Sequence, residues 1–344
     1  MYSFKDDYSE LGHEKIFNDL LKISRKQMNG YGLDEISAQA KELIKKRFDL
    51  GNADIHFLCG GTQANLVFIN SALSSVEAVI SADSGHICGH ECGAIEHNGN
   101  KILVAANKDG KISPSDIEAI CNLHTDEHMV KPRLVYISQS TEKGTVYSKE
   151  ELINLFNICK KLNCYLFIDG ARLGAALASD STGSFAVNTK VKPEDMAKLC
   201  DAFYIGGTKN GSPLGEVLCI INENLKKGFR YYLKQHGAML AKGALIGSCF
   251  KTLFENDLYF ELAKQSIAFA QRVAKALTEK GYILSYGSST NQLFPVLSNK
   301  KIAELKKHFE FHIWEKVDDG NSIVRLVCSW ASSEDEVDKL IALL

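Results

Sequence analysis

The segments YLFIDGAR (residues 165–172) and AFYIGGTKNG (202–211) decide the reading of this chain. Each is an apolar run of strand length that ends in a glycine-containing turn. The first ends on an acid, Asp169, and the second on a lysine, Lys209. Short apolar runs without polar alternation suit strands buried on both faces. Working outward, similar runs recur at 55–59, 79–81, 102–105, 133–138 and 216–221. Helix-period segments lie between them: 34–48 capped by Asp34, 66–72, a helix from Ser113 with Pro114 at its first position, and 148–162. This alternation predicts an α/β fold with a largely parallel sheet covered by helices on both faces.

Beyond about residue 225 the pattern changes. Residues 243–254 and 258–280 read as long helices, broken at Glu255, Asn256 and Asp257. The remainder reads as a small α+β unit: strands at 282–287 and 292–297, a helix at 299–309, strands at 311–315 and 323–330, and a last helix from Ser333. The expected organisation is a large domain over 1–245 and a small C-terminal α+β domain over 246–344, tightly packed without a linker.

Composition excludes several classes. The 40 basic and 42 acidic residues give a net charge of −2, so there is no electrostatic footprint for nucleic acid. No apolar stretch approaches the roughly 20 residues needed to span a bilayer. The opening MYSFKDDYSELGHEK lacks the apolar centre of a signal peptide. A cytoplasmic protein is expected. The ten cysteines, none in a CxxC pair, read as buried free thiols.

Asp169 and Lys209 together suit pyridoxal phosphate (PLP), whose aldehyde needs an amine and whose ring nitrogen needs a carboxylate. Asp169 ends a strand, where open parallel sheets bind ligands. A carboxylate there is costly unless paired, and either a pyridinium nitrogen or Arg172 would serve. Lys209 follows a buried strand, where desolvation frees its amine; an exposed loop lysine is the plainer alternative. GGTQAN (60–65) lies between a strand and a helix, so its amides could cradle a phosphate, with Thr62 adding a hydroxyl. A tight turn with Thr62 as helix cap explains the same residues. His86, in ADSGHICGHECG (82–93), could stack on a planar ring. With Cys88, His90 and Cys92 it could instead ligate a metal, or the segment could be a polar loop; no metal is expected. Arg325, mid-strand in IVRLVCSW (323–330), needs an anion, either a substrate carboxylate or a protein one.

In order, Tyr31-Gly32-Leu33-Asp34, GGTQAN, His86 with Glu91, SQSTEKGT (138–145), FIDGAR, GGTKNG and VRLVCSW resemble the threonine aldolases of the β-eliminating lyase group. These are aspartate-aminotransferase-like PLP enzymes of fold type I, and the resemblance runs from about residue 4 to the C-terminus. It implies that Lys209 forms the Schiff base with PLP, Asp169 pairs with the ring nitrogen and His86 stacks on the ring. It implies phosphate or cofactor contacts from Gly61, Thr62, Gln63, Thr208 and Arg172. Arg172 and Arg325 would grip the substrate carboxylate, with Tyr31 reaching the site, in a homodimer or homotetramer whose sites form at the dimer interface.

Three departures mark this chain. Glu142 in Gln139-Ser140-Thr141-Glu142 stands where many threonine aldolases carry a histidine that handles the substrate hydroxyl. Leu240 in His236-Gly237-Ala238-Met239-Leu240 stands where they carry a phosphate-binding arginine, and Lys234 or Lys242 is the expected substitute. Asp6-Asp7 replaces a Ser-Asp pair and places Asp6 near the presumed carboxylate pocket. The reaction implied is retro-aldol cleavage of a β-hydroxy-α-amino acid to glycine and an aldehyde, with Glu142, His86 or water as base. β-Elimination or racemisation would use the same lysine and acid, and a non-catalytic binding protein is a further alternative.

Overall fold

The structure is a computed structural model, and it describes every residue except 108, 180–190 and 288. Thirteen strands occur among the described residues. They are β1 (Tyr2–Ser3), β2 (Asp54–Leu58), β3 (Glu77–Ala82), β4 (Lys101–Ala105), β5 (Lys131–Ser138), β6 (Tyr165–Asp169), β7 (Ala202–Gly206), β8 (Glu216–Ile220), β9 (Gln292–Leu293), β10 (Val296–Ser298), β11 (Phe309–Glu310), β12 (His312–Lys316) and β13 (Asn321–Val327).

Seven of them form one sheet in the order β2-β8-β7-β6-β5-β3-β4. β8 runs antiparallel to both its neighbours; the remaining pairs are parallel. Side chains alternate between two buried faces, as a pleated strand requires. Leu166, Ile168, Phe203, Ile205 and Val217 pack on one face, toward helices Glu35–Phe48 and Ala244–Glu255. Phe167, Tyr136, Tyr204 and Leu218 pack on the other, toward helix Gly61–Ala72. Burial on both faces is why these strands read as continuous apolar runs.

The C-terminal sheet has β13 at its centre, flanked antiparallel by β10, β12 and β9. Helix Leu258–Glu279 joins the two units. Its Leu258, Tyr259 and Leu262 belong to the core of the large sheet, whereas Ala270, Val273 and Leu277 belong to the C-terminal core.

The caps behave as their residue types suggest. Asp34 Oδ1 accepts the Ser37 N–H at 2.7 Å, and Ser113 and Ser148 form capping boxes. Three C-terminal expectations change. The helix expected over 299–309 stops at Leu305, and Phe309–Glu310 becomes β11, parallel to β1. Phe309 packs edge-on against Phe4 with centroids 5.3 Å apart, a long-range contact that outweighs local helix preference. The strand expected at 282–287 reduces to one bridge, Leu284 with Pro295. The strand at 292–297 splits at Phe294 and Pro295, because proline has no N–H for the ladder. No described helix is long and apolar enough to cross a membrane.

Candidate active site

β5, β6 and β7 are parallel neighbours, so their carboxyl ends open on one edge of the sheet. Register sets Ser138 beside Asp169, and the turn after β7 carries Lys209 to the same edge. The turns after β6 and β7 touch through backbone: the Gly206 N–H donates to the Gly170 carbonyl at 2.9 Å. A Cβ on Gly170 would overlap the Tyr204 carbonyl oxygen, and one on Gly206 the Ala171 carbonyl oxygen. Glycine is needed at both positions for that close approach.

Asp169 is buried, at 3% exposure. Its Oδ2 accepts from the Tyr136 hydroxyl and, at 3.1 Å, from Asn65 Nδ2; its Oδ1 accepts the Ala171 N–H at 2.9 Å. Asn65 Nδ2 also donates to Glu91 Oε1 at 2.8 Å, and the same oxygen lies 2.8 Å from His86 Nδ1. Buried polar groups are thus linked from the sheet to the imidazole. Burial works against a charge on His86, but the Glu91 bond and the Asp169 charge hold its imidazole above the ordinary value, against Lys209.

Lys209 forms no ion pair among the described residues. Burial, then the Arg172 charge, lowers its amine below the usual lysine range, partly countered by Asp7, Asp169 and Glu216. Glu142 Oε1 accepts the Ser138 hydroxyl at 2.7 Å and the His86 N–H at 2.9 Å, and burial raises its carboxyl. Among the described residues, Arg325 has no carboxylate partner. Its Nη2 donates to the Lys5 carbonyl at 3.2 Å, its guanidinium sits 5.1 Å from the centre of the Trp314 ring, and its Nε is buried without a partner.

The structure brings Lys209, Asp169, His86, Glu142, Arg172, Gly61, Thr62 and Thr208 to one cavity. An adjoining cavity shares Lys209, His86, Glu142 and Arg172 and adds Arg325. Arg172 pairs with Asp7, not with Asp169. Five expected residues, both candidate lysines included, lie outside these cavities. Gln63 turns its Oε1 back to accept the Cys59 N–H at 3.0 Å. Asp6 Oδ1 closes its own turn, accepting from the Tyr8 N–H at 3.1 Å and the Ser9 hydroxyl at 2.9 Å. Lys242 is exposed, and Tyr31, 44% exposed, lines a separate hollow with Lys41 and Arg230. Lys234 lies over the Tyr31 ring at 5.0 Å, outside the cavity. Thr62 is not the helix cap: Gly60 is, and Thr62 falls in the first turn.

Sequence reasoning missed Tyr136, Asn65 and Glu216 as parts of this site. Asn65 stands inside the GGTQAN motif and Glu216 opens the run EVLCII, so the signal was present but had no partner to give it meaning. His86 begins a short helix, His86–Gly89; Cys88 Sγ donates to the Ala82 carbonyl and Cys92 is exposed. Among the described residues, no group of three His, Cys, Asp or Glu is arranged to hold a metal ion.

The residues fit pyridoxal phosphate. Lys209 has its amine lowered by burial and forms no ion pair among the described residues, and Asp169 is held at the strand end by three donors. The exposed first-turn residue Thr62 and the open space at Gly60 leave the N-terminus of the 12-residue helix Gly61–Ala72 accessible to a phosphate.

The family model for β-eliminating lyases matches residues 22–300. Over 341 residues the chain is 30% identical to a low-specificity L-threonine aldolase of Pseudomonas sp. (strain NCIMB 10558), covering 98% of this chain and 95% of that one. A solved threonine aldolase structure from Leishmania major matches with a TM-score of 0.96 and 42% identity, covering 100% of this chain and 98% of that one. The histidinol-phosphate aminotransferase of Clostridium acetobutylicum matches with a TM-score of 0.73 at 14% identity, covering 100% and 98%, a likeness of fold. The expected fold type I architecture with a mainly parallel sheet is therefore present, and pyridoxal phosphate is the cofactor it implies. The chain belongs to the β-eliminating lyase family.

Proposed function

We propose that this protein is a PLP-dependent aldehyde-lyase that cleaves L-threonine or L-allo-threonine to glycine and acetaldehyde. The observation that carries the reading is the shared cavity edge at which an unpaired arginine, Arg325, and a carboxyl raised by burial, Glu142, both flank Lys209. When bound, the cofactor supplies an electron sink for the pair left on Cα. Arg325 offers its guanidinium fork to the α-carboxylate, with which it can bond bidentately. Arg172 adds positive charge, although Asp7 already occupies two of its donors.

Glu142 is the base for the β-hydroxyl proton. A carboxyl raised toward working pH is a better match to that task than an ordinary one. His86, whose Nδ1 is engaged by Glu91, instead presents its ring to the cofactor. The hydroxyl proton goes to Glu142, the Cα–Cβ electron pair remains with Cα, the aldehyde leaves, and Cα gains a proton to give glycine. No other reactant is needed.

The same reading takes the protein as a cytoplasmic homodimer or homotetramer. Its ten cysteines are all free, as a reducing compartment favours. Tyr31 and Lys242 lie apart from the cavity of their own chain, which supports a second copy supplying them to it. The test is the purified, PLP-loaded protein mixed with each threonine isomer. Matched release of acetaldehyde and glycine is expected. Pyruvate and ammonia from L-serine, with no aldehyde from either isomer, would replace the reading with β-elimination.

A further inference from the structure

Glu216 is a buried acid that the reaction above does not use. It opens β8 opposite Gly206 of β7 and Leu58 of β2, and is 4% exposed. Strand alternation turns it to the same face as Leu218, the face covered by helix Gly61–Ala72. There it lines the cavity end formed by Gly60, Gly61, Thr62 and Thr208. Its Oε2 accepts the Gly207 N–H at 2.8 Å and its Oε1 accepts the Thr208 hydroxyl at 2.7 Å. Both donors are neutral, and no ion pair forms to it among the described residues.

The groups facing it are few. Lys209 favours its charge and Asp169 opposes it. Tyr204 of β7 and Tyr259 of helix Leu258–Glu279 sense its charge, and both phenols are pushed up mainly by burial. Cys59, after β2, lines the same end with its thiol raised by burial. Helix Ala244–Glu255 faces this turn with the apolar Phe250 and Ile246.

A phosphate held at Gly60–Thr62 and Thr208 would meet this carboxylate at close quarters. The two would repel, and they would compete for the Thr208 hydroxyl. A protonated carboxyl removes the repulsion and adds a donor. We propose that Glu216 is the proton-accepting residue of the cofactor's phosphate subsite, taking up a proton as the phosphate enters. The proposal rests on the phosphate position adopted above. Burial has already raised this carboxyl to about 7, so its proton is available near neutral pH.

Proton uptake is read by titration calorimetry of the apoprotein at pH 8 in two buffers of different ionisation enthalpy. The ligands are PLP, inorganic phosphate and pyridoxal, which lacks the phosphate. The wild type is expected to take up close to one proton more than Glu216→Gln with PLP and with phosphate, and no more with pyridoxal. Above pH 7 its PLP affinity should fall up to about tenfold per pH unit more steeply than that of the variant. Glu216→Asp, which keeps a titrating group, should retain part of the uptake and so separates proton uptake from damage to the fold.

Thr62→Asp, at an exposed position, tests the underlying phosphate placement and should weaken PLP far more than pyridoxal. If it does, while wild type and Glu216→Gln take up equal numbers of protons, the role of Glu216 is overturned and the phosphate site stands. If Thr62→Asp weakens PLP and pyridoxal equally, the phosphate lies elsewhere and both readings fall.

Discussion

Arg172 grips Asp7 with two parallel bonds, Nε to Oδ2 at 2.7 Å and Nη2 to Oδ1 at 3.0 Å. Asp7 is 1% exposed and also accepts from Asn291 Nδ2 at 3.0 Å. The pair is buried, and breaking such a pair leaves an uncompensated charge. Asp7→Asn is therefore expected to lower unfolding free energy by about 3 kcal/mol at pH 7, measured by chemical denaturation. Burial acts against the Asp7 charge, but Arg172 and Lys209 hold its carboxyl below the usual range. Its contribution is thus present above the unfolded carboxylate value and is lost as pH falls through the lower folded one. The variant should lack that acid-side loss.

With Arg172 engaged, Arg325 is the arginine left to bind an external carboxylate. Arg325→Gln should raise KM for the amino acid by roughly 10- to 100-fold, the worth of a charged hydrogen bond, with a smaller change in kcat. An unchanged KM in steady-state kinetics would move the carboxylate to another site.

Glu142→Gln should lower kcat by about 10²–10⁴-fold while leaving PLP affinity within a few-fold of the wild type. The wild-type rate should fall as pH drops through the raised Glu142 value, because the base must be ionised. A variant whose pH–rate profile keeps that acid limb would show that another group acts as base.

Glu91→Gln leaves an amide oxygen to accept from His86 Nδ1 but removes the charge that strengthens that bond, and should lower the imidazole pKa, seen directly by NMR titration. A raised folded imidazole contributes stability that is full below about 6.5 and is lost as pH rises through the folded value. The stability gap between wild type and variant should therefore be widest below about pH 6.5 and narrow as pH rises through the folded imidazole value.

Without cofactor, the ionised Glu216 is a burden on the fold. A carboxyl raised from 4.5 to about 7 costs stability as pH rises across that window. The apo form of Glu216→Gln should exceed the wild type by roughly 1–3 kcal/mol above pH 7, and the advantage should disappear toward pH 4.5.

Asp169 and Lys209 were legible in the sequence because each follows an apolar strand and meets a glycine turn, features fixed within a few residues. The partners were not. Asp7 and Arg172 are 165 positions apart, and nothing local indicates that they meet. Tyr136 is hidden in an ordinary strand, and Glu216 gains meaning only from its register opposite Gly206. Gln63, Asp6, Lys242 and Tyr31 were placed by resemblance, and side-chain direction within one chain takes them elsewhere. The C-terminal strand that replaced part of a helix depends on Tyr2 and Ser3, about as far along the chain as a partner can be.

The contact between Gly170 and Gly206 ties the acid-bearing and lysine-bearing turns together through main chain alone. The spacing of the two turns that carry these side chains is thereby set by backbone atoms, whose positions no rotamer change can alter. Loosening the apolar core should lower the melting temperature long before it moves Asp169 relative to Lys209. Stability and catalytic alignment in this protein are consequently separable properties, with cooperative unfolding as the point at which both fail.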